Sequence, residues 1–234
     1  MSTRVPASRV AALVPAAGQG VRLAAGMPKA FVPLLGRPLL WHCVQGLLAS
    51  GCVDVVVVAV GAQHHDQARA AVAAAGDRVR IVTGGVYRCD SVRAALHTVP
   101  DAEVVLVHDA ARCLTPVSVI QSVVHAVLAG QRAVVPVLTV VDTIKQVDPD
   151  GRVVGTLDRA ALRVVQTPQG FAGDLLRRAH QLPSGPVTDD AGLVEALGVT
   201  VTTVPGHPYA LKITTPFDLV LAEVVAGARV AGQA

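Results

Sequence analysis

The sequence predicts an α/β fold: a Rossmann-like, open, mostly parallel sheet with helices on both faces and a protruding β-hairpin arm. Three observations favour this fold class. Short, almost wholly apolar runs such as Val55–Val60 are typical of strands buried on both faces of a sheet. Segments with helical spacing of apolar residues alternate with these runs through the first half of the chain. The turn sequence DPDG at 148–151 then breaks the alternation.

The first half of the chain predicts five strands separated by helices. The predicted strands are Val10–Val14, Val53–Val60, Val79–Thr83, Val104–His108 and Ala133–Val137. The predicted helices are a segment around Leu39–Leu48, then Gln63–Ala75, Ser91–Val99, and a segment from Thr115 to Gly130. Thr115 and Pro116 are typical of an N-cap and a first helical residue, and Gly130 of a helix end. This order favours parallel strands joined by crossover helices.

The second half begins with a predicted hairpin and ends with a helix. Thr139–Val147 and Arg152–Leu157 flank the DPDG turn, and such a hairpin needs a surface to pack on, either in its own domain or in a second subunit. Parallel order is expected to resume afterwards. The predicted elements are strand Leu162–Gln166, helices Ala172–Gln181 and Asp189–Leu197, strands Val199–Val204 and Ala210–Ile213, and helix Pro216–Arg229. We predict one domain, residues 1–234, with an arm at about 139–158.

Composition restricts the class of ligand and the compartment. The net charge is +3 and no basic block stands out, which favours a small anionic substrate over nucleic acid. The four cysteines form no Cys-x-x-Cys pair, so we expect reduced thiols and no protein-built metal site. Residues 1–9 lack the apolar core of a signal peptide, and the longest apolar runs are too short to span a bilayer. These features predict a cytoplasmic protein that does not bind membranes.

A loop that follows the first strand is the first candidate site. Its sequence, PAAGQGVRL at 15–23, is closed by Pro28 and Lys29. Small residues and two glycines let the backbone approach a ligand, and Arg22 and Lys29 supply cations suited to a polyphosphate. Leu23 replaces the third glycine of the dinucleotide fingerprint, and no Gly-Lys-Ser/Thr is present. The loop by itself fits an ordinary strand-to-helix turn equally well.

Further polar residues follow other predicted strands, where ligands of open α/β sheets bind. They are Gly84, Gly85, Arg88, Asp90 and Ser91 after the third strand, His108 to Arg112 at the fourth, Gln166 and Thr167, and Lys212. We interpret His108 as a buried structural residue and Asp109 as a ligand for a ribose hydroxyl or a metal-bound phosphate. Lys212 is expected to point into the site. Many cations, few carboxylates and glycine turns suit phosphoryl or nucleotidyl transfer.

A set of motifs in fixed order then identifies a family that the chain resembles. The motifs are PAAG-x-G-x-R with Pro28-Lys29, VHDAAR at 107–112, DTIK at 142–145, TPQ at 167–169, TDD at 188–190 and KIT at 212–214. The chain resembles the 2-C-methyl-D-erythritol 4-phosphate cytidylyltransferases of non-mevalonate isoprenoid biosynthesis. The resemblance extends from about Val10 to the closing helix. It implies a reaction of methylerythritol phosphate with CTP and Mg²⁺, giving CDP-methylerythritol and pyrophosphate.

The resemblance also implies roles for individual residues. Arg22 and Lys29 would neutralise the triphosphate, and Arg159 and Lys212 would position the methylerythritol phosphate. The nucleotide pocket would comprise Ala16, Ala17, Gly18, Gly85, Ser91, Asp109 and Ala110, and the second-substrate contacts Arg112, Thr143 and Thr167. The hairpin would cross to the other subunit of a homodimer, so that Thr143 and Arg159 serve the partner's site. Many family members carry an acidic residue where this chain has Val86, which removes one possible contact to cytosine.

Three alternatives stay open at this point. A cytidylyltransferase acting on ribitol phosphate or another pentitol phosphate would share the CTP loop and differ around the residues for the acceptor. A non-catalytic nucleotide-binding protein would be expected to lack cations around the α-phosphate, whereas Arg22, Lys29 and Lys212 are present. An NAD-dependent dehydrogenase is disfavoured because Val60-Gly61-Ala62 gives the second strand no acidic residue at its end.

Overall fold

The fold is taken from a computed structural model, which describes residues 10–18, 27–182 and 189–231, with side chains up to residue 228. Its largest sheet is built from eight strands. They are β1 (Val10–Pro15), β4 (Val55–Val60), β5 (Val79–Thr83), β6 (Val104–Val107), β7 (Ala133–Thr139), β10 (Arg163–Val165), β11 (Gln169–Ala172) and β12 (Thr202–Pro205). Two small hairpins pair β2 (Pro33–Leu34) with β3 (Arg37–Pro38) and β8 (Lys145–Val147) with β9 (Val153–Thr156).

The large sheet is mostly parallel. Its path runs β10, β7, β11, β6, β1, β4, β5, and β12 pairs with β7 in parallel. The pairs β1–β4, β1–β6 and β4–β5 are parallel. Only the segments β10 and β11, among the strands described, run in the opposite direction, and both pair antiparallel with β7. The predicted open, mostly parallel sheet is therefore confirmed.

Helices cover both faces of this sheet. They are α1 (Leu39–Ala49), α2 (His65–Val72), α3 (Arg88–Leu96), α4 (Val117–Leu128), α5 (Gly173–Ala179), α6 (Asp190–Glu195) and α7 (Pro216–Ala231). Successive strand residues alternate between two cores: Ala12 and Val14 pack with α1, α2, α4 and α7, whereas Ala11 and Leu13 pack with α3, α5 and α6. Because side chains alternate across a strand, apolar residues at every position are needed to fill both cores.

The hairpin β8–β9 forms the predicted arm as a separate two-stranded sheet. Lys145 Nζ donates to Thr156 Oγ1 across it at 2.7 Å, and Asp148 caps the turn by accepting from the backbone N–H groups of Asp150 and Arg152. The apolar side chains of the arm are mostly exposed to solvent, namely Val141, Val147, Val153, Val154 and Leu157. The arm therefore carries an apolar surface that the described part of the chain leaves exposed.

The structure contradicts the predicted direction of one strand and the existence of another. The segment Leu162–Gln166 contains β10, which runs antiparallel to β7 because the chain returns from a hairpin and not from a crossover helix. The segment Ala210–Ile213 is not a strand. Pro208–Ala210 forms a 3-10 helix, and the next four residues are irregular, with Ile213 N–H donating to the Ala111 carbonyl at 2.9 Å.

Helix bounds also differ from the predictions. Helix α3 begins at Arg88, three residues before the predicted Ser91, because Tyr87 is its N-cap and Asp90 accepts from the Tyr87 N–H. The predicted Gln63–Ala75 helix is split into a short 3-10 turn, α2 and a second 3-10 segment that ends at Arg78. Across the described residues, none of the helices combines the length and apolarity that spanning a bilayer requires.

Candidate active site

A cleft of about 270 Å³ opens at the carboxyl edge of the parallel strands. It lies where β1, β5 and β6 end, which is the usual ligand position in open α/β sheets. Backbone-rich segments form one wall, and a group of charged side chains forms the other. The lining residues are Pro15, Ala16, Ala17, Gly18, Lys29, Ala30, Gly85, Val86, Tyr87, Arg88, Ser91, Asp109, Ala110, Ala111 and Lys212.

The backbone wall is held close to the sheet by hydrogen bonds and by small residues. Ala16 N–H donates to the Ala59 carbonyl at 2.7 Å, which continues the β1–β4 pairing into the loop. A Cβ on Gly84 would lie 2.7 Å from Ser91 Oγ and 2.9 Å from Ala17 Cβ, so only glycine fits there. Ser91 Oγ accepts from the Gly85 N–H at 3.2 Å. The wall therefore offers main-chain groups and one hydroxyl to a ligand.

The charged wall is centred on Asp109. Its Oδ2 lies 2.7 Å from Lys212 Nζ, and its Oδ1 lies 3.5 Å from Arg88 Nε. Burial by itself would raise the pKa of Asp109, but Arg88 and Lys212 outweigh burial and lower this pKa to about 2. Asp109 is therefore ionised at neutral pH, and its charge is shared between two cations.

A second carboxylate holds Arg88 from behind the cleft. Arg88 Nη1 lies 2.6 Å from Asp190 Oδ2, and the Asp190 side chain is only 1% exposed. The other oxygen of Asp190 lies 3.0 Å from His180 Nε2. Burial opposes the charge on Asp190, but the contacts with His180 and Arg88 lower its pKa. The start of α6 is fixed as well, because Gln169 Oε1 accepts from the Ala191 N–H and Gln169 Nε2 donates to Asp189.

A buried hydrogen-bond chain supports Asp109 from the sheet side. The Asp109 N–H donates to Thr167 Oγ1 at 3.0 Å, which leaves the Thr167 hydroxyl proton for His108 Nδ1 at 2.9 Å. Burial lowers the pKa of His108 to about 4, so the ring is neutral and its Nδ1 can accept. His108 is thus a buried structural residue, as its sequence position predicts.

Comparisons with known proteins agree on one family. The family model described as IspD, 2-C-methyl-D-erythritol 4-phosphate cytidylyltransferase, matches residues 10–227. The chain is 59% identical over 220 residues to the enzyme of that name from Saccharopolyspora erythraea, covering 92% of this chain and 98% of the relative. The chain belongs to this family. The Nocardia farcinica enzyme of the same name is 57% identical over 222 residues, covering 95% of this chain and 96% of the relative.

Solved structures of the cytidylyltransferase family share the fold described above. The crystal structure of 2-C-methyl-D-erythritol 4-phosphate cytidylyltransferase from Thermus thermophilus superposes with a TM-score of 0.74 at 36% identity, covering 93% of this chain and 98% of that one. The 4-diphosphocytidyl-2C-methyl-D-erythritol synthase structure from Anaerococcus prevotii gives a TM-score of 0.82 at 26% identity, covering the same shares. Family membership establishes a nucleotidyltransferase of isoprenoid biosynthesis and removes the dehydrogenase alternative.

Nine of the site residues predicted from the family resemblance lie together in the cleft. They are Ala16, Ala17, Gly18, Lys29, Gly85, Ser91, Asp109, Ala110 and Lys212. They derive from segments far apart in the chain, which the ends of β1, β5 and β6 and the irregular stretch before α7 bring together. Their assigned roles toward CTP and the second substrate stay predictions.

Four other predicted site residues, all of them described, are not part of the cleft lining. A fifth, Arg22, lies outside the described residues. Arg112 donates to the backbone carbonyls of Ala210 and Val165, and Thr167 is 6% exposed beneath Asp109. Thr143 and Arg159 belong to the arm region, where Arg159 donates to the Val141 carbonyl. The geometry makes Arg112 and Thr167 supports of the site, and their contact with substrate stays a prediction.

Sequence reasoning noted Arg88 but left it out of the proposed site, and it missed the residues behind it. Arg88 lines the cleft and contacts both Asp109 and Asp190. The sequence did contain one indication that Arg88 belongs to the site. Arg88 lies three residues before Ser91, at the start of a helix that faces the loop. The pairing with Asp190 and His180 joins residues about a hundred positions apart, and no local pattern indicates it. Val86 is 92% exposed at the rim, where it supplies no polar group to a base.

Proposed function

We propose that this chain transfers the cytidylyl group of CTP to 2-C-methyl-D-erythritol 4-phosphate and releases pyrophosphate. The observation that supports it most is the cleft itself. Main-chain groups form one wall, and on the other Lys212 and Arg88 contact the ionised carboxylate of Asp109, with Lys29 also part of the lining. A nucleoside triphosphate has a neutral base and a highly anionic tail, and this division of the walls matches it. The relatives named above carry the same activity in their names.

The backbone wall suits the cytidine end of the nucleotide. Ala17, Gly18 and Gly85 leave room for a flat base, and their N–H and C=O groups can read its edge. Ser91 adds a hydroxyl already oriented by the Gly85 N–H. Because Val86 offers no hydrogen bond, the proposal assigns recognition of cytosine to main-chain groups and Ser91.

The cationic wall suits the phosphates. Attack of one phosphate on another brings like charges together, and fixed cations stabilise the charge that develops in the transition state. We assign Lys29 and the predicted Arg22 to the triphosphate and Lys212 to the phosphate of the acceptor. Lys212 is half-exposed and 2.7 Å from Asp109, so its ammonium group is already held at the cleft. Arg88 adds a guanidinium on the same side.

A divalent cation, Mg²⁺, is part of the proposal. No group of three or more His, Cys, Asp or Glu side chains that could bind a metal occurs in the parts of the chain that the structure describes. One carboxylate, Asp109, faces the cleft, which fits Mg²⁺ that is bound mainly through substrate phosphates. When bound, the ion would neutralise phosphate charge beside Asp109.

The chemistry requires no protein base. An oxygen of the methylerythritol phosphate attacks the α-phosphorus of CTP, the new P–O bond forms, and the bond to the β-phosphate oxygen breaks. Pyrophosphate leaves with that electron pair, and no proton must be removed because a phosphate monoester is largely ionised near neutral pH. His108 fits a non-catalytic role, since it is buried and neutral with a pKa of about 4.

The direct test is pyrophosphate release from CTP and Mg²⁺ with each of two acceptors. We expect fast release with 2-C-methyl-D-erythritol 4-phosphate and slow release with ribitol 5-phosphate. Mass spectrometry should find CDP-methylerythritol as the product. Faster release with ribitol 5-phosphate would reject the proposed acceptor and leave the cytidylyl transfer. Binding of CTP without release from either acceptor would support the non-catalytic alternative.

We further propose a homodimer in which the arms are exchanged. The exposed apolar side chains of the arm, such as Val147 and Val153, support a partner surface. Thr143 and Arg159 lie in the same segment and are absent from the lining of their own cleft, so a second subunit could use them. In this arrangement each site combines Lys29 and Lys212 of one chain with Arg159 of the other.

Mixing two inactive variants tests the exchange. An Arg159→Ala chain and a Lys29→Ala chain should each have low activity, whereas a mixed dimer has one site with neither substitution. Random mixing of equal amounts gives about half mixed dimers, so about a quarter of wild-type sites should recover. The control mixes each variant with itself under the same conditions. No recovery, with subunit exchange verified by native mass spectrometry, would reject a shared site.

The proposal places the enzyme in the cytoplasm. CTP and Mg²⁺ are available there, and reducing conditions keep thiols free. All four cysteines of the chain are free thiols. Fractionation of cells that carry a tagged copy should recover the protein with cytoplasmic markers, and recovery with the membrane pellet would contradict this placement.

A further inference from the structure

A continuous path of ion pairs and hydrogen bonds runs from the cleft into the interior. Lys212 Nζ lies 2.7 Å from Asp109, Asp109 lies 3.5 Å from Arg88 Nε, and Arg88 Nη1 lies 2.6 Å from Asp190. The path ends at His180 Nε2, 3.0 Å from the second oxygen of Asp190. The side chains of Lys212 and Arg88 are 45% and 32% exposed, whereas those of Asp190 and His180 at the inner end are 1% and 2% exposed.

The inner half of this path is buried at a cost. A carboxylate that is 1% exposed loses nearly all of its hydration, and such groups persist only when their oxygens are paired. Asp190 meets this requirement with Arg88 on one oxygen and His180 on the other. Its backbone is also fixed, since it begins α6 beside Asp189, whose side chain accepts from the Gly192 N–H. Asp190 is therefore held by contacts of both its side chain and its helix terminus.

The two contacts of Arg88 are unequal in length. The contact with the buried Asp190 is 2.6 Å, whereas the contact with Asp109 in the cleft is 3.5 Å. An arginine side chain has several rotatable bonds, and a nearby ionised carboxylate would attract a free guanidinium into a bidentate pair. The short bond to Asp190 holds the guanidinium back, and Lys212 takes the close position on Asp109.

We propose that Asp190 and His180 are positioning residues for cytidylyl transfer: they hold Arg88 so that Asp109 keeps Lys212 as its close partner and its cleft-facing side stays open to the substrates. This inference rests on the proposed function. Neither residue lines the cleft, so both act through Arg88. When Asp190 loses its charge, Arg88 turns onto Asp109 and competes with Lys212. All cleft residues are then still present, but the contacts of Asp109 with Arg88 and Lys212 are changed.

A double-mutant cycle on kcat/KM tests the proposal. Asp190→Asn removes the charge with little change in volume. We expect it to lower kcat/KM on the order of 10- to 100-fold, because the reacting groups are displaced. Arg88→Met removes the guanidinium and keeps an apolar stem. If Asp190 acts through Arg88, adding Asp190→Asn to Arg88→Met lowers kcat/KM by less than about twofold further. An undiminished loss in the Arg88→Met background would overturn the proposal.

Two substitutions at His180 separate positioning from simple stability. His180→Phe fills similar space and removes the N–H, whereas His180→Gln keeps an N–H donor for Asp190. We expect His180→Phe to lower kcat more than it raises the KM for CTP, and His180→Gln to restore most of the kcat. Equal kcat for the two variants, each folded by circular dichroism, would reject the role of His180.

An ion pair far from the cleft gives the matched control. Arg132 Nη2 and Asp174 Oδ2 lie 2.7 Å apart, with both side chains about half-exposed. Arg132→Met should leave kcat/KM unchanged, and a loss as large as that of Asp190→Asn would mean that the assay reports general stability. Failure of the proposed function is distinguishable, because the wild-type chain would then not release pyrophosphate and no cycle could be measured.

Discussion

Thr167→Val should lower the free energy of unfolding far more than the removal of an exposed hydroxyl group would. The Thr167 hydroxyl is buried, accepts from the Asp109 N–H and donates to His108 Nδ1. Valine fills the same space, so the substitution removes both hydrogen bonds without creating a cavity. It leaves one buried donor and one buried acceptor unpaired. At about 1–3 kcal/mol for each orphaned group, the free energy of unfolding should fall by about 2–6 kcal/mol.

Urea unfolding of the wild-type chain and two variants measures this loss. Thr167→Ser is the matched control, because it keeps the hydroxyl and loses only a methyl group, worth about 1 kcal/mol. The free energy of unfolding is obtained from each midpoint with a common slope, and the slope should not change. A loss for Thr167→Val no larger than that for Thr167→Ser would refute the assignment of Thr167 as a shared hydrogen-bond partner.

Three further predictions concern the pH response, turnover and a close backbone contact. The pKa of His108 is about 4 in the fold and 6.5 in the unfolded chain, so the unfolded chain binds more protons between these values. The free energy of unfolding should therefore fall by about 3 kcal/mol as the pH drops from 6.5 to 4. Urea unfolding of His108→Gln over the same pH range should lack this contribution. Lys29→Ala should lower kcat on the order of 100- to 1,000-fold while the Kd for CTP, from calorimetry, rises less than tenfold; equal changes in both would make Lys29 a binding residue only. Gly173→Ala should cost about 1–3 kcal/mol by thermal unfolding because its Cβ would overlap the Ala102 carbonyl. Gly46→Ala on α1 should not destabilise, because its Cβ would lie 4.0 Å from its nearest neighbour, the Thr115 carbonyl oxygen.

The strands of the parallel half could be predicted because their signal is local. Val55–Val60 is apolar at every position, and only burial on both faces explains such a run. Strand direction has no such signal. The segment around Val164 has a strand pattern, yet it is antiparallel because no helix separates it from β7. The missing crossover helix was visible in the sequence and is the physical reason for the reversed direction.

The Ala210–Ile213 segment shows the limit of pattern reading. Apolar residues flank Lys212 on both sides as in a buried strand, but β12 already occupies the position beside β7. Without a neighbouring strand the segment stays irregular, and Ala210 and Ile213 are its buried residues. Lys212 nevertheless lines the cleft, because its position depends on where the chain passes and not on its secondary structure.

Residues of the cleft could be predicted from the sequence where they follow strands. The residues that lie behind the cleft could not. Asp109 and Gly85 come directly after predicted strands, so the sheet edge brings them together. The anchor of Arg88 depends on the packing of α5 and α6 against α3, which periodicity does not specify. Asp190 was included in a motif of the family, but burial and pairing, the properties that explain it, require three-dimensional coordinates.

The reversed direction of β10 determines which segment can vary in sequence and length without a change in the core. Both ends of the segment between β7 and β10 lie at the edge of the sheet where the cleft opens, because β10 runs back along the strand that the chain has just left. That segment is topologically an insertion into a hairpin connection. Its length and sequence can vary while the order and register of the sheet stay the same. Under the proposed exchange of arms, replacing this segment with that of a relative should change the preference for the acceptor and leave nucleotide binding unchanged.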